Sequence, residues 1–244
     1  MTTPEVTLRV MTYNVDCSNR NLAPVLDAIA SEDADLVLLQ EINAAWERAL
    51  VERLEPQYPV RVFRVQQRES GGLAVLAKVQ ITDEEVLQPP DGGWFPAQRL
   101  VVETGFGALQ LLNVHLRPAF DADSWFEGFL STPPVRRREI ETYWAQLSRD
   151  LPTIVAGDFN EDASGAALAF LAERGARRVA TTGPTTWHFE DISPSGKPWD
   201  VLKMDIDHVV LDGALVAHDA RVLDAGTSDH RPVVVTIAPT PRRA

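Results

Sequence analysis

The chain has 244 residues, enough for one large domain or two small ones, so a sizeable core is available. With 45% hydrophobic and 24% charged residues it has an ordinary globular composition, and no run approaches the roughly 18 apolar residues of a transmembrane helix. Lysine and arginine total 23 against 35 aspartates and glutamates, a net charge of −12 that argues against nonspecific capture of long nucleic acids, whose affinity comes from neutralising phosphates.

Met1 to Arg9 runs straight into an apolar alternation without a basic stretch, hydrophobic block and cleavage site, so the cytoplasm is the expected compartment. The single cysteine, Cys17, can form neither an internal disulfide nor a multi-thiolate zinc site and reads as an inert residue near a strand end.

In chain order, short apolar runs bounded by polar or turn residues predict strands. They cover Leu8 to Val15, Asp35 to Gln40, Arg61 to Val65, Leu73 to Ala77, Leu109 to Leu116, Thr153 to Ala156, Asp207 to Leu211 and Pro232 to Ile237. Helices are expected over Ala23 to Ser31, Ala44 to Leu54, Pro134 to Leu147 and Gly165 to Glu173. The third places Ile140, Tyr143, Trp144 and Leu147 on one face. Proline and glycine mark Gln88 to Ala97 and Ser193 to Trp199 as surface loops, and Pro239 to Ala244 as a frayed tail. No repeat and no linker between two cores is visible, so residues 1–244 are expected to form one domain, and the protein to act as a monomer.

The polar residues that stand out sit where apolar strands end or begin: Asn14, Glu41, Asn113, His115, Asp158, Asn160, Asp207, Asp229 and His230. A buried carboxylate or amide without a partner costs about 1–3 kcal/mol, so this set asks for a common one. Singly, Glu41 reads as a helix-start acid, Asp158 as a turn former with Asn160, and His230 as a satisfied histidine. Together they suit a hard divalent cation such as Mg2+ or Mn2+, which takes oxygen ligands. The lack of a cysteine cluster or close histidine pair argues against structural zinc.

The order of the segments is more specific than any one of them. Met11-Thr-Tyr-Asn-Val-Asp16, Leu39-Gln-Glu-Ile42, Asn113-Val-His-Leu116, Gly157-Asp-Phe-Asn160, Asp205-Ile-Asp-His208 and Ser228-Asp-His-Arg-Pro232 together resemble the endonuclease/exonuclease/phosphatase superfamily over residues 8–237. The resemblance implies a four-layer α/β sandwich, two mixed sheets face to face with helices outside, and magnesium- or manganese-dependent cleavage of a phosphate ester. It makes Glu41 the principal metal ligand with Asn14 beside it, and Asp229 part of the metal environment. Asp158 would orient or deprotonate the attacking water, held by Asn160. His230 would stabilise the phosphate or assist the leaving oxygen with Asp207 on its other ring nitrogen, and His115 would add a phosphate contact.

Asn113-Val-His115 resembles the pancreatic deoxyribonuclease, sphingomyelinase and lipid-phosphatase branches. Asp16, two residues after Asn14, resembles the abasic-endonuclease and tyrosyl-DNA phosphodiesterase side and is placed with the metal. Three segments are expected at the rim, with Trp94 and Phe95; Phe120, Trp125, Phe126 and Phe129; and Trp187; their aromatics either stack a base or receive an acyl chain, or fold back over the core, with Trp187 as a wall of the substrate site. Arg136, Arg137 and Arg138 begin a helix, where positive charge opposes the dipole, so they read either as solvated surface arginines or with at least one facing an anion; Arg138 is assigned to the substrate. The leading expectation is a phosphodiesterase or phosphatase acting on a small or lipid-like ester. A nuclease or DNA-end-processing enzyme is the alternative, and a noncatalytic binding module the reading from another class.

Overall fold

The computed structural model describes residues 6–66, 69–119, 125–192 and 198–241. Its elements run β1 (Leu8–Asn14), α1 (Leu22–Glu32), β2 (Leu36–Gln40), α2 (Ala44–Leu54), β3 (Val60–Arg64), β4 (Leu73–Ala77), β5 (Ile81–Leu87), β6 (Ala97–Thr104) and β7 (Gly107–His115). There follow α3 (Trp125–Ser131), α4 (Pro133–Trp144), β8 (Thr153–Asp158), α5 (Ala166–Glu173), β9 (Arg177–Arg178), β10 (Trp187–Ile192), β11 (Pro198–Met204), β12 (Asp207–Asp212), β13 (Leu215–Val222) and β14 (Val233–Pro239). Two six-stranded mixed sheets form, in the orders β13-β14-β1-β2-β4-β3 and β5-β6-β7-β8-β12-β9, with β10 and β11 as a separate hairpin.

Side chains alternate across a strand, so each strand feeds two layers. Leu8 and Val10 of β1, Leu36 and Leu38 of β2, Leu109 and Leu111 of β7, Ile154 and Ala156 of β8, and Val209 and Leu211 of β12 fill the gap between the sheets. The intervening residues face outward. Met11, Tyr13, Val37 and Leu39 pack under α1 and α2, whereas Leu112, Val114, Val155 and Val210 pack under α4 and α5. The four layers expected of the fold are thus two helix pairs around two sheets.

Several elements were not anticipated. β5 carries Asp83, Glu84 and Glu85 and is only partly buried, and β13 is likewise a polar edge strand; neither offers the apolar run that marks a buried strand. Of the expected 193–199 loop, residues 193–197 lie outside the described residues, while Pro198 and Trp199 open β11. The helix expected from Pro134 ends at Trp144, and the one expected from Gly165 starts one residue later, with Gly165 as its N-cap.

Candidate active site

The parity that fills the core also builds the site. Continuing the inward-facing positions toward one end of the sandwich gives Thr12 and Asn14 on β1, Gln40 on β2, Asn113 and His115 on β7, Asp158 on β8 and Asp207 on β12. All of these are buried. The gap therefore turns from apolar to polar along its length, and the polar floor is satisfied internally. Gln40 donates to Thr12 Oγ1 at 3.1 Å and Asn113 Oδ1 at 2.7 Å, while Asn113 Nδ2 donates to the Leu39 and Ala74 carbonyls of the opposite sheet. Asn113 pins the two sheets together rather than facing the opening.

Glu41 follows β2 in a left-handed backbone conformation (φ 63°), a strained state for a residue with a side chain that clusters at functional sites. Asn14 Nδ2 donates to Glu41 Oε1 and to Asp158 Oδ2, both at 3.1 Å, so one amide joins the two carboxylates across the sheets. The Cys17 amide donates to Glu41 Oε2 at 3.1 Å. Burial alone would push the Glu41 carboxyl up, but the His115 ring, the Cys17 amide and Asn14 hold it below its ordinary value, so it is ionised at neutral pH. The 16–18 turn is fixed from α2: Trp46 Nε1 donates to the Asp16 carbonyl and Asn43 Nδ2 to that of Cys17. Asp16, Cys17 and Glu41 offer ligand atoms within 4.8 Å of one another. An ionised, partly open carboxylate with Asp16 beside it fits a hard divalent cation; Cys17 is the one soft donor in the group.

Asp158 ends β8, directly opposite His115 in the parallel β7–β8 register and Asp207 in the antiparallel β8–β12 register. Gly157 makes this end possible. At φ 147° it lies outside the range of an L side chain, and a Cβ there would stand 1.9 Å from the Val114 carbonyl oxygen. Asp158 Oδ1 accepts the Asn160 amide at 2.8 Å, and Asn160 (φ 53°) anchors its own side chain on the Leu116 carbonyl at 2.9 Å. His115 Nδ1 donates to the Ser70 carbonyl at 3.0 Å, which aims Nε2 at Asp158 Oδ2 (3.5 Å) and Glu41 Oε1 (3.9 Å). Phe95 stacks on the His115 ring, centroids 4.4 Å apart.

His230 Nδ1 donates to Asp207 Oδ2 at 2.9 Å, and its Nε2 lies 3.7 Å from Asp158 Oδ2. Burial alone would strip the ring of its proton, but Asp207 and then Asp158 outweigh it, and the imidazole is pushed up to about 10. Burial raises the Asp158 carboxyl, with the His230 charge opposing the rise. The pair consists of a carboxylate made more basic and a ring kept charged, environments that separate base from acid. Asp158, Asp207 and His230 also offer ligand atoms within 4.8 Å of one another, with His230 Nδ1 already bonded to Asp207.

Asp229 is exposed, and its Oδ2 accepts the Trp187 indole N–H at 2.9 Å; among the described residues it joins neither cluster. Trp187 stands beside His230, centroids 6.5 Å apart, where a wall was expected. The three arginines separate. Arg136 is buried against Glu161, an internal anion, Arg137 pairs with Glu141 and Glu173, and Arg138 is exposed beside Gly92. His208, within a site-like motif, bonds the Glu161 carbonyl and is lowered to about 4 by burial, so it is structural. Of the expected rim aromatics, Phe95 is buried behind His115 and Trp94 stacks under Arg117. Phe120 and the side chains of Trp125, Phe126 and Phe129 lie outside the described residues. Sequence reasoning missed Ser70 and gave two other supports different parts, Cys17 as an inert residue and Phe95 as a rim aromatic, because backbone donors and stacking behind a ring leave no motif.

A family model described as the Endonuclease/Exonuclease/phosphatase family matches residues 11–230. No curated protein matches the chain. Among solved structures, an endonuclease/exonuclease/phosphatase from Beutenbergia cavernae DSM 12333 is 18% identical, with 96% of this chain and 72% of that chain covered and a TM-score of 0.71. The human Nocturnin catalytic domain with bound sulfate is 15% identical over 96% of this chain and 95% of its own, TM-score 0.69. D. rerio TDP2 complexed with single strand DNA product is 18% identical over 95% and 98%, TM-score 0.69. At these identities the likeness is one of fold.

Proposed function

Since the chain belongs to the endonuclease/exonuclease/phosphatase family, whose members hydrolyse phosphate esters, we propose that this site cleaves a small or lipid-like phosphate ester by in-line attack of water. The observation that carries the reading is geometric: the Oδ2 of the buried Asp158 lies 3.7 Å from His230 Nε2, with the carboxylate held by the Asn160 amide and the ring held by Asp207. Asp158 Oδ2 receives the proton of the attacking water, while Oδ1, fixed by the Asn160 amide, holds the carboxylate in plane. His230 offers its Nε2–H to the phosphate or the leaving oxygen, its ring oriented by Asp207. His115 Nε2 supplies a second polar contact, its tautomer set by Ser70. Glu41, with Asn14 and Asp16, would hold Mg2+ or Mn2+, which when bound neutralises charge on the phosphate. Asp229 is oriented by Trp187 at the mouth.

The test is a screen of phosphate mono- and diesters, with and without Mg2+ or Mn2+, run beside Asp158→Asn. Cleavage that needs the cation and falls about 100-fold or more in the variant is expected, with the fold unchanged. Full turnover in excess chelator, or wild-type turnover by Asp158→Asn, refutes the mechanism.

A further inference from the structure

We propose that one face of the β10–β11 hairpin is the subsite for the apolar organic group of an amphiphilic phosphate ester. The proposal rests on the hydrolase reading above and names what is esterified. In the antiparallel register Trp187 pairs with Met204 and Phe189 with Leu202, while His188 pairs with Lys203. The period of two puts Trp187, Met204, Phe189 and Leu202 on one face and His188 and Lys203 on the other. The stripe starts in the active site. Trp187 bonds Asp229 and bridges His230 through the backbone, and Met204 lines a cavity of about 320 Å³ together with Asn160, Pro133 and Ser164. It ends in solvent, where Phe189 is 50% and Leu202 46% exposed.

Large apolar side chains placed opposite each other on a hairpin gain little while water covers them, and a contiguous patch leading out of a catalytic cleft is a surface for a ligand. Its chemistry selects the ligand. Binding of single-stranded nucleic acid needs a basic groove interleaved with aromatics, whereas this hairpin carries Glu190, Asp191 and Asp200 in a chain of net charge −12, and leucine and methionine flank its aromatics. An alkyl or acyl chain attached to the phosphate fits: its head meets Asn160 and His230, and its first carbons run along Met204 toward Leu202 and Phe189.

The experiment measures equilibrium binding of octylphosphonate and methylphosphonate, whose C–P bonds are not hydrolysed, to the full chain with Mg2+ by calorimetry. Octylphosphonate is expected to bind about tenfold more tightly, the worth of roughly two buried methylenes. Phe189→Ser, Leu202→Ser and the double substitution should erase that preference without changing methylphosphonate binding, and Lys203→Ser on the opposite face should retain it. Because both apolar side chains are half exposed, each variant is expected to keep the wild-type circular dichroism. Equal affinity for the two phosphonates, or a preference that survives the double substitution, overturns the subsite. Hydrolysis of bis-p-nitrophenyl phosphate with no chain preference would remove the subsite and leave the hydrolase standing. A hairpin-dependent preference in a protein that cleaves no ester would do the reverse.

Discussion

Replacing Glu139 with glutamine should make the protein more stable at neutral pH and flatten its pH dependence. Glu139 lies on α4 with no exposed surface, and its Oε2 accepts the Arg117 amide at 2.8 Å. Its Oε1 has no hydrogen-bond partner among the described residues. Burial raises the carboxyl from 4.5 to about 7 against the opposing effect of the Arg117 and Trp94 amides and the nearby arginines. A raised acid pKa means that the folded state binds the proton more tightly than the unfolded state. The penalty is therefore absent below 4.5, grows through the window up to 7, and is complete above it. At about 1.4 kcal/mol per pH unit, that window is worth roughly 3 kcal/mol. Glutamine keeps the acceptor for Arg117 and cannot ionise, so Glu139→Gln should gain about 3 kcal/mol on wild type above pH 7 and little at pH 4.5, or about 6–12 °C in Tm. Urea unfolding of both proteins at several pH values between 4.5 and 8 measures the difference. Parallel stability curves would refute the reasoning, because they would mean that Glu139 titrates alike folded and unfolded.

Asp207→Asn removes the carboxylate that keeps His230 charged, so the ring should lose its proton at lower pH and the alkaline limb of the pH–rate profile should move down; an unmoved limb and an unchanged His230 titration by NMR would show that Asp207 is not its partner. Gly157→Ala should destabilise by more than about 3 kcal/mol in urea, since its Cβ would collide with the Val114 carbonyl at a φ closed to alanine, and a loss under 1 kcal/mol would contradict that geometry. At −12 the protein should bind a fluorescent DNA duplex weakly at moderate salt even when Asp158→Asn blocks turnover; tight, strongly salt-dependent binding would favour the nuclease alternative.

The sequence by itself determined the layers and the end of the sandwich at which buried polar side chains converge. Near-continuous apolar runs in β1, β2, β7, β8 and β12 declare strands buried on both faces, and the switch from leucine, valine and isoleucine to Asn14, His115, Asp158 and Asp207 at one end of those strands marks the polar end, because such patterns are local. Edge strands were illegible for the same reason: β5 and β13 close the two sheets with polar, partly exposed residues, so they need no apolar pattern. Only the tertiary structure decided which anions Arg136 and Arg137 meet beyond their own helix, since Glu161 and Glu173 approach α4 from α5 and its preceding loop. It also joined Asp229 to the Trp187 indole, and it paired Trp187–Ile192 with Pro198–Met204 as a hairpin. Such contacts join residues far apart in the chain, and their distances and burial, which set the charge on Asp158 and His230, exist only once both sheets have packed.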